Sequence, residues 1–142
     1  MNTKQQVRKQ QVRAEFAMKA LENKVSKNEI TKDLANFIVG MPNMILSNGL
    51  GQTMAFLLAK SSKPERKFVF YAIKKYLCQT YTGVFGQYKE DDANDNFCFL
   101  KKFNDDQSNY IKMQNEVLRM LEWLKRYARA FEIEDSKNGK SE

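Results

Sequence analysis

Apolar side chains recur every three or four residues along most of this chain, and few residues interrupt the pattern. The 142 residues include only 6 Gly and 2 Pro, too few for the many tight turns of an all-β fold. Helices that turn one apolar stripe toward a shared core satisfy this spacing. The sequence therefore predicts the all-α class, as a compact bundle of about five to six helices.

Length and composition indicate one domain. Hydrophobic residues make up 42% of the chain, enough for a core that needs neither disulfides nor a metal. We expect a single helical domain over 1–133. The segment 134–142 is polar and predicts a disordered tail.

Prolines and capping residues set the expected helix boundaries. Pro42 lies within a helical pattern and predicts a kink or a break near Gly40. Asn28 or Thr31 is expected to cap the helix that contains Pro42. Pro64 predicts the first turn of another helix, where its missing N–H is tolerated.

One segment lacks helical periodicity. The residues from Thr82 to Asn96 include two glycines and an acidic run, which predicts a loop. A short helix from Phe97 to Phe103 is expected to follow, and the last and longest helix is expected to run to about Phe131.

The glycines at 49 and 51 raise the possibility of a phosphate-binding loop. A dinucleotide motif needs a third glycine at 54, and a Walker motif needs Gly-Lys-Ser/Thr at 54–56. The chain has Met54-Ala55-Phe56 there. We interpret the segment as a turn between two helices, with Gly49 chosen for its backbone angles and Gly51 for close packing.

The inventory of reactive side chains points away from catalysis. The chain has no histidine, which removes the commonest general base and metal ligand. Cys78 and Cys98 lack metal-ligand spacing and have apolar neighbours in sequence, which predicts two buried, reduced thiols. We expect no catalytic residue, no metal, no cofactor and no membrane span, in a cytoplasmic protein.

The positive charge is unevenly distributed. The net charge is +7, and the acidic residues gather in 89–106 and in the tail, leaving the helices basic. Arg8, Lys9 and Arg13 lie off the apolar stripe of the first helix and are expected to face solvent. A basic helical surface is typical of proteins that bind a polyanion, although lysines and arginines also commonly form a merely solvated face.

Three arginines of the last helix permit two interpretations. Arg119, Arg126 and Arg129 share one side of the helix, with Glu122 between them. They could form an intrahelical ion-pair ladder with Glu122 or a track for phosphates. The sequence leaves both open.

Two motifs resemble one known family. The segment MPNMILSNGLGQTMAFL at 41–57 resembles a signature of the small subunit of type III-B CRISPR (Cmr) effector complexes. The segment from Tyr110 to Ala128, with its Trp-Leu-Lys-Arg-Tyr-Ala ending, resembles a second signature of that family. The likeness covers roughly 10–131, including Arg13-Ala14-Glu15-Phe16-Ala17 in the opening helix.

The resemblance implies a function. Members of this family are helical and non-catalytic, and several copies stack head to tail as a minor filament beside the backbone subunits. They help to shape the groove in which guide RNA pairs with target RNA. The implied partners are the other Cmr subunits, neighbouring copies of the chain, and the guide and target RNA.

Charge and motif position together select candidate residues. The candidates for RNA contact are basic residues beside the two signature helices: Lys60, Lys63, Arg66, Lys67, Arg126 and Arg129. The candidates for contact with a neighbouring copy are acidic: Glu90, Asp91, Asp92 and Asp95. The alternative is a structural adaptor that contacts only proteins; a lysine- or carboxylate-dependent enzyme is a third class, which no converging polar cluster supports.

Overall fold

The computed structural model describes residues 3–90, 92–105 and 107–134. Within these ranges the chain forms helices and no strand, which confirms the all-α class. Seven helices occur there, one more than expected because a single-turn helix forms at 82–85. None of these helices is both long and apolar enough to cross a membrane. The helices are α1 Thr3–Ser26, α2 Lys32–Asn48, α3 Leu50–Ala59, α4 Pro64–Thr80, α5 Thr82–Phe85, α6 Ala93–Asp105 and α7 Gln107–Ala130.

The chain divides into two compact units. The first contains Met1–Pro42 and Arg119–Glu142, and the second contains Asn43–Leu118. The division falls within α2 and within α7. The expectation of one domain over 1–133 stays a prediction, and the tail expected at 134–142 lies, beyond Glu134, outside the described residues.

The second unit is built around α3 and α4. Helix α3 packs against α4 and α6, and α5 contacts both α4 and α6. Leu50, Met54 and Leu57 of α3 are fully buried, as is Phe70 of α4. An aromatic cluster joins the short helix to its neighbours, since the Phe85 ring lies 4.7 Å from that of Phe99.

Only part of the apolar stripe expected on α1 is buried in the first unit. The helical spacing of Val7, Ala17, Met18 and Leu21 predicts that all four share one buried face. Ala17 and Leu21 are buried, but Val7 and Met18 are about half exposed, at 50% and 49%. The segment after α7 closes this unit, because the Ile133 amide donates to the Ile30 carbonyl over 2.9 Å.

The amino terminus of α3 is capped by side chains of α7. Its N-cap residue is Gly49, which has no side chain to offer. The Leu50 amide instead donates to Gln114 Oε1 over 2.9 Å, and the Gly51 amide donates to the Tyr110 hydroxyl over 2.7 Å. Two of the four amides that a helix start leaves without an intrahelical partner are therefore satisfied from a distant part of the chain.

The expected role of Gly49 is confirmed; that of Gly51 is not, because a β-carbon there would make only ordinary van der Waals contacts. Gly49 has a φ of +84°, a conformation that residues with a β-carbon rarely adopt. A β-carbon on Gly51 would lie 3.4 Å from the Tyr110 hydroxyl and 3.5 Å from Phe103 Cβ. The segment is a turn between helices and not a phosphate loop.

Of the kink or break expected near Gly40, the break is wrong, because α2 continues through Pro42 to Asn48. A proline within a helix costs about 3 kcal/mol. Burial stabilises each fully buried Ile or Met side chain by roughly 1.5–3 kcal/mol. Ile38, Met41 and Ile45 of α2 are all fully buried, and this burial outweighs the cost of the proline. Thr31 is the cap, since the Leu34 amide donates to its hydroxyl over 3.0 Å.

The loop expected from Thr82 to Asn96 is shorter than predicted. Helix α5 occupies its start, and α6 begins at Ala93, before the expected Phe97. The Asp92 carboxylate makes this early start possible by accepting the Asp95 amide over 3.0 Å. Only 86–92 separates the two helices.

The prediction of two buried thiols is correct for Cys78 and wrong for Cys98. Cys78 is buried, while Cys98 is exposed. Phe97 and Cys98 face outward on α6, whereas Asn96 and Phe99 are buried. Apolar neighbours in sequence do not share a face of a helix, so they do not bury the residue between them.

The two thiols should therefore react at different rates. Burial raises the pKa of the Cys78 thiol, which lowers its thiolate fraction and adds to the steric protection. We expect Ellman's reagent to modify one thiol rapidly in the native protein and the second only on unfolding. Cys98→Ser should abolish the fast phase and Cys78→Ser should preserve it; the reverse assignment would contradict the structure.

We expect substitution by alanine to have opposite effects at Gly49, in the turn before α3, and at Gly40, within α2. Gly49→Ala should lower the free energy of unfolding by about 1–3 kcal/mol, because the new β-carbon is strained at φ +84° and lies 3.1 Å from the Tyr110 hydroxyl. Gly40→Ala should raise it by up to about 1 kcal/mol, because Gly40 is helical with nothing within 4 Å of a β-carbon. Urea denaturation measures both, and effects of equal sign would contradict this account.

Candidate nucleic-acid interface

Four of the candidate RNA-binding residues surround the turn between α3 and α4. Lys60 is the C-cap of α3 and Lys63 is the N-cap of α4, and both are exposed. The Lys63 amide donates to the Lys60 carbonyl over 3.0 Å, and the Lys67 amide donates to the Lys63 carbonyl over 3.0 Å. The turn is thus closed by backbone hydrogen bonds, which hold the backbones of these residues close together.

The start of α4 is an electropositive end of a helix. Its first amides have no side-chain cap, and the helix dipole adds partial positive charge there. Lys63, Arg66 and Lys67 place three cations at this end against Glu65 alone. Like charge at a helix start is unfavourable, and a bound anion relieves it.

Arg66 is the least accessible of these cations. Its side chain is 25% exposed, its Nη1 lies 4.0 Å from the Glu65 carboxylate, and its guanidinium lies 5.9 Å from the centre of the Phe56 ring. Lys60, Lys63 and Lys67 are all exposed. The three lysines are therefore the cations most open to an anion at this turn.

Arg126 and Arg129 belong to the first unit and differ in their surroundings. Arg129 pairs with Glu132 over 2.6 Å and donates to Asn36 Oδ1 over 2.7 Å. Arg126 is exposed, with its guanidinium 5.7 Å from the centre of the Trp123 ring. Of the two, Arg126 is the more accessible to a ligand.

Of the two interpretations left open for the arginines of α7, an ion-pair ladder centred on Glu122 does not form. Glu122 pairs with Lys125 over 3.1 Å. Arg129 pairs instead with Glu132, and Arg126 lies over an aromatic ring. Since Glu122 is engaged by Lys125, a phosphate track along the arginines stays open as an interpretation.

Two of the four acidic candidates have internal partners. Asp92 caps α6, and Asp95 Oδ2 lies 2.7 Å from Lys74 Nζ. Glu90 is exposed. Asp91 lies outside the described residues. Glu90 is therefore the described acidic candidate most open to another subunit.

The uneven charge predicted that the helices present their basic residues to solvent, but Lys74 of α4 is fully buried. Its ammonium donates to the Lys89 carbonyl and to Asn96 Oδ1, both over 2.6 Å, and pairs with Asp95. An ammonium has three protons to donate, and these three acceptors use them all. Lys74 also lies 5.7 Å from the centre of the Tyr88 ring.

The sequence contained a signal for this burial. Lys74 follows Phe70 by four residues and precedes Leu77 by three, so it lies on the apolar period of α4. Phe70 and Leu77 are both fully buried. A lysine on such a period is expected either to reach solvent or to have acidic and carbonyl partners, and the acidic segment after α5 supplies them.

Arg13 is a second basic residue whose position was predicted incorrectly. It was expected in solvent, but it is 5% exposed. Arg13, Ala17 and Leu21 follow one another at four-residue intervals and are all buried, so α1 turns this row of residues inward. The signal was the shared period, which the charge of Arg13 obscured.

The first unit has two concavities on α1. The basic cleft has a volume of about 360 Å³ and contains three cations and two amides. It is lined by Gln6, Lys9, Gln10, Arg13 and Arg119. The aromatic groove has a volume of about 410 Å³. It is lined by Thr3, Gln6, Val7, Gln10, Gln11, Ala14, Trp123 and Tyr127.

The Lys74 cluster predicts a strong and local effect on stability. Lys74→Met leaves Asp95 and Asn96 without their cation, and breaking a buried ion pair from one side costs about 3–5 kcal/mol. Because the Asp95 side chain is 24% exposed, we expect the lower end, about 3 kcal/mol. The measurement is the free energy of unfolding in urea.

Lys75→Met is the matched control for that change. Lys75 is adjacent in sequence and exposed, and its ammonium has one aromatic contact, with the Tyr88 ring. Its replacement should cost less than about 1 kcal/mol. Equal losses of unfolding free energy in the two variants would show that the buried hydrogen bonds of Lys74 do not stabilise the protein more than the exposed contact of Lys75 does.

Comparison with known proteins agrees with the motifs. The family model of CRISPR-associated protein (Cas_Cmr5) matches residues 9–131. No curated protein matches the sequence significantly. The match covers α2, α3 and α7, which carry the motifs, as well as α1 beyond its first turns and the whole α3–α4 turn. It confirms the resemblance described from the residues. The chain belongs to the Cas_Cmr5 family and is a Cmr5-type small subunit of a type III-B CRISPR complex.

Proposed function

We propose that this chain is a non-catalytic, cytoplasmic subunit that stacks head to tail along the backbone of the Cmr complex and contacts guide and target RNA. Family membership supports its place in the complex. The observation that carries the RNA contact is the group of exposed lysines Lys60, Lys63 and Lys67 at the α3–α4 turn. Their side chains would neutralise RNA phosphates.

The electrostatics of this turn favour a phosphate backbone over a specific base sequence. Lysine is a flexible point charge that suits phosphates, and the start of α4 adds its dipole. The three lysines bracket one short turn, so they would follow neighbouring phosphates of one strand. Binding of this kind has little sequence preference and weakens as salt concentration rises.

Stacking of copies requires two different complementary surfaces on each subunit. We assign the acidic role to the segment around Glu90, which is exposed. Asp92 and Asp95 have structural roles within their own copy. They would add negative electrostatic potential to this surface and make few direct contacts with the next copy. The complementary basic surface belongs to the next copy.

Charge reversal at the turn tests the RNA contact. The test variant combines three substitutions, Lys60→Glu, Lys63→Glu and Lys67→Glu, and is assembled with the other Cmr subunits. It should retain target RNA at least about tenfold less well at physiological salt. The slope of its salt dependence should be shallower, by about 0.7–0.9 for each phosphate that the variant no longer neutralises. Lys63→Glu and Lys67→Glu lie at the start of α4, where negative charge suits the helix dipole. Lys60→Glu at the C-cap of α3 opposes the dipole of that helix by at most about 1 kcal/mol, so unfolding is not expected to cause the weaker retention.

The matched control reverses three exposed lysines elsewhere in the same unit: Lys101→Glu, Lys102→Glu and Lys112→Glu. It has the same net charge and should retain RNA normally. Full assembly with unchanged RNA retention in the turn variant would overturn the RNA contact at this turn. Dissociation of partner subunits before dissociation of RNA would favour the adaptor function.

A further inference from the structure

The basic cleft and the aromatic groove adjoin. Gln6 and Gln10 of α1 line both concavities, so a ligand in one is next to the other. Each volume lies within the range of about 300–1,000 Å³ that is typical of small-molecule sites. Together they offer a cationic end and an aromatic end to a single ligand.

The basic cleft suits a phosphate. Its lining contains three cationic side chains and two amides, without a carboxylate. Lys9 and Arg119 are exposed and available to a ligand. Arg13 is 5% exposed, with its Nη1 donating to Gln10 Oε1 over 3.4 Å, and it contributes fixed positive charge at the wall. Arginine and lysine donors of this kind bind phosphate oxygens by charge-assisted hydrogen bonds.

The aromatic groove suits a planar ring. The Trp123 and Tyr127 rings lie 5.8 Å apart with 35° between their planes. The Trp123 indole N–H donates to Gln10 Oε1 over 3.0 Å, which fixes the orientation of the ring. Stacking of a nucleobase on an aromatic side chain contributes about 1–3 kcal/mol and tolerates any base. The amides of Gln6 and Gln11 at this groove suit hydrogen bonding to a base edge.

We propose that the cleft and groove bind one nucleotide of single-stranded RNA, with a phosphate at Lys9 and Arg119 and the base against Trp123 and Tyr127. The inference rests on the proposed function for RNA as the partner, and adds a second contact separate from the α3–α4 turn. A nucleotide carries a phosphate and a planar base on one sugar, so the phosphate can lie in the basic cleft while the base lies in the adjoining aromatic groove. An acidic protein segment would satisfy the cleft alone. A base-paired nucleotide keeps its base within the duplex, so the strand must be single.

The chain contains 1 Trp, so its intrinsic fluorescence reports on this groove. The full-length protein is titrated with a single-stranded oligouridylate and with an RNA duplex of the same length, at low salt. We expect saturable quenching of Trp123 emission by the single strand, and at most a small change with the duplex.

Two variants separate the base from the phosphate. Tyr127→Leu keeps an apolar side chain but removes a stacking ring, and should weaken binding about fivefold or more. Lys9→Glu with Arg119→Glu should weaken it at least about tenfold and make its salt dependence shallower. The matched control, Lys19→Glu with Lys112→Glu, makes the same net charge change at exposed positions of the same two helices outside the cleft, and should bind normally.

The outcomes distinguish this site from the proposed function. Quenching that the cleft variant abolishes and the control preserves establishes the site. Absence of quenching overturns it, and the proposed function still stands if RNA retention in the assembled complex depends on the α3–α4 turn. Emission that changes with protein concentration, and not with RNA, assigns the groove to a second copy of the chain and overturns the nucleotide site.

Discussion

The start of α3 depends on hydrogen bonds that its backbone amides donate to side chains of α7. Gly49 takes a positive φ to turn the chain between α2 and α3, and having no side chain it leaves the first amides of α3 uncapped. The Tyr110 hydroxyl and Gln114 Oε1, one turn apart on α7, accept hydrogen bonds from those amides instead. The glycines and the tyrosine belong to the two family signatures, so the motifs are tied together by one set of hydrogen bonds. A helix start satisfied in this way exists only when the distant helix is in place.

A second polar centre fixes the segment after α5. Lys74 is buried and donates all three ammonium protons to acceptors at positions 89, 95 and 96. Asn96 in turn donates to the Tyr71 hydroxyl over 3.0 Å. Because unpaired charge is costly inside a protein, Asp95 is held at α6 by its pairing with Lys74. Glu90, by contrast, is exposed.

The basic residues differ in their surroundings. Lys74 and Arg13 are buried, and Arg129 is held by Glu132 and Asn36. Lys60, Lys63 and Lys67 are exposed around one turn, and Lys9 and Arg119 are exposed beside an aromatic wall. A net charge alone does not make this distinction, since it counts buried and exposed cations equally.

The sequence by itself determined the helical class, the boundaries at Gly49 and Pro64, and the family, because periodicity, capping and motif order are local properties. It left Asn28 and Thr31 as alternative caps of α2, and the structure decided for Thr31. It did not determine that α2 passes through Pro42, since the burial that stabilises it comes from long-range packing. Nor did it place Arg13, Lys74 and Cys98, whose exposure depends on what other helices cover. Only the tertiary structure decided which charged side chains are used inside the protein, because an ion pair or a burial joins residues that the sequence keeps far apart.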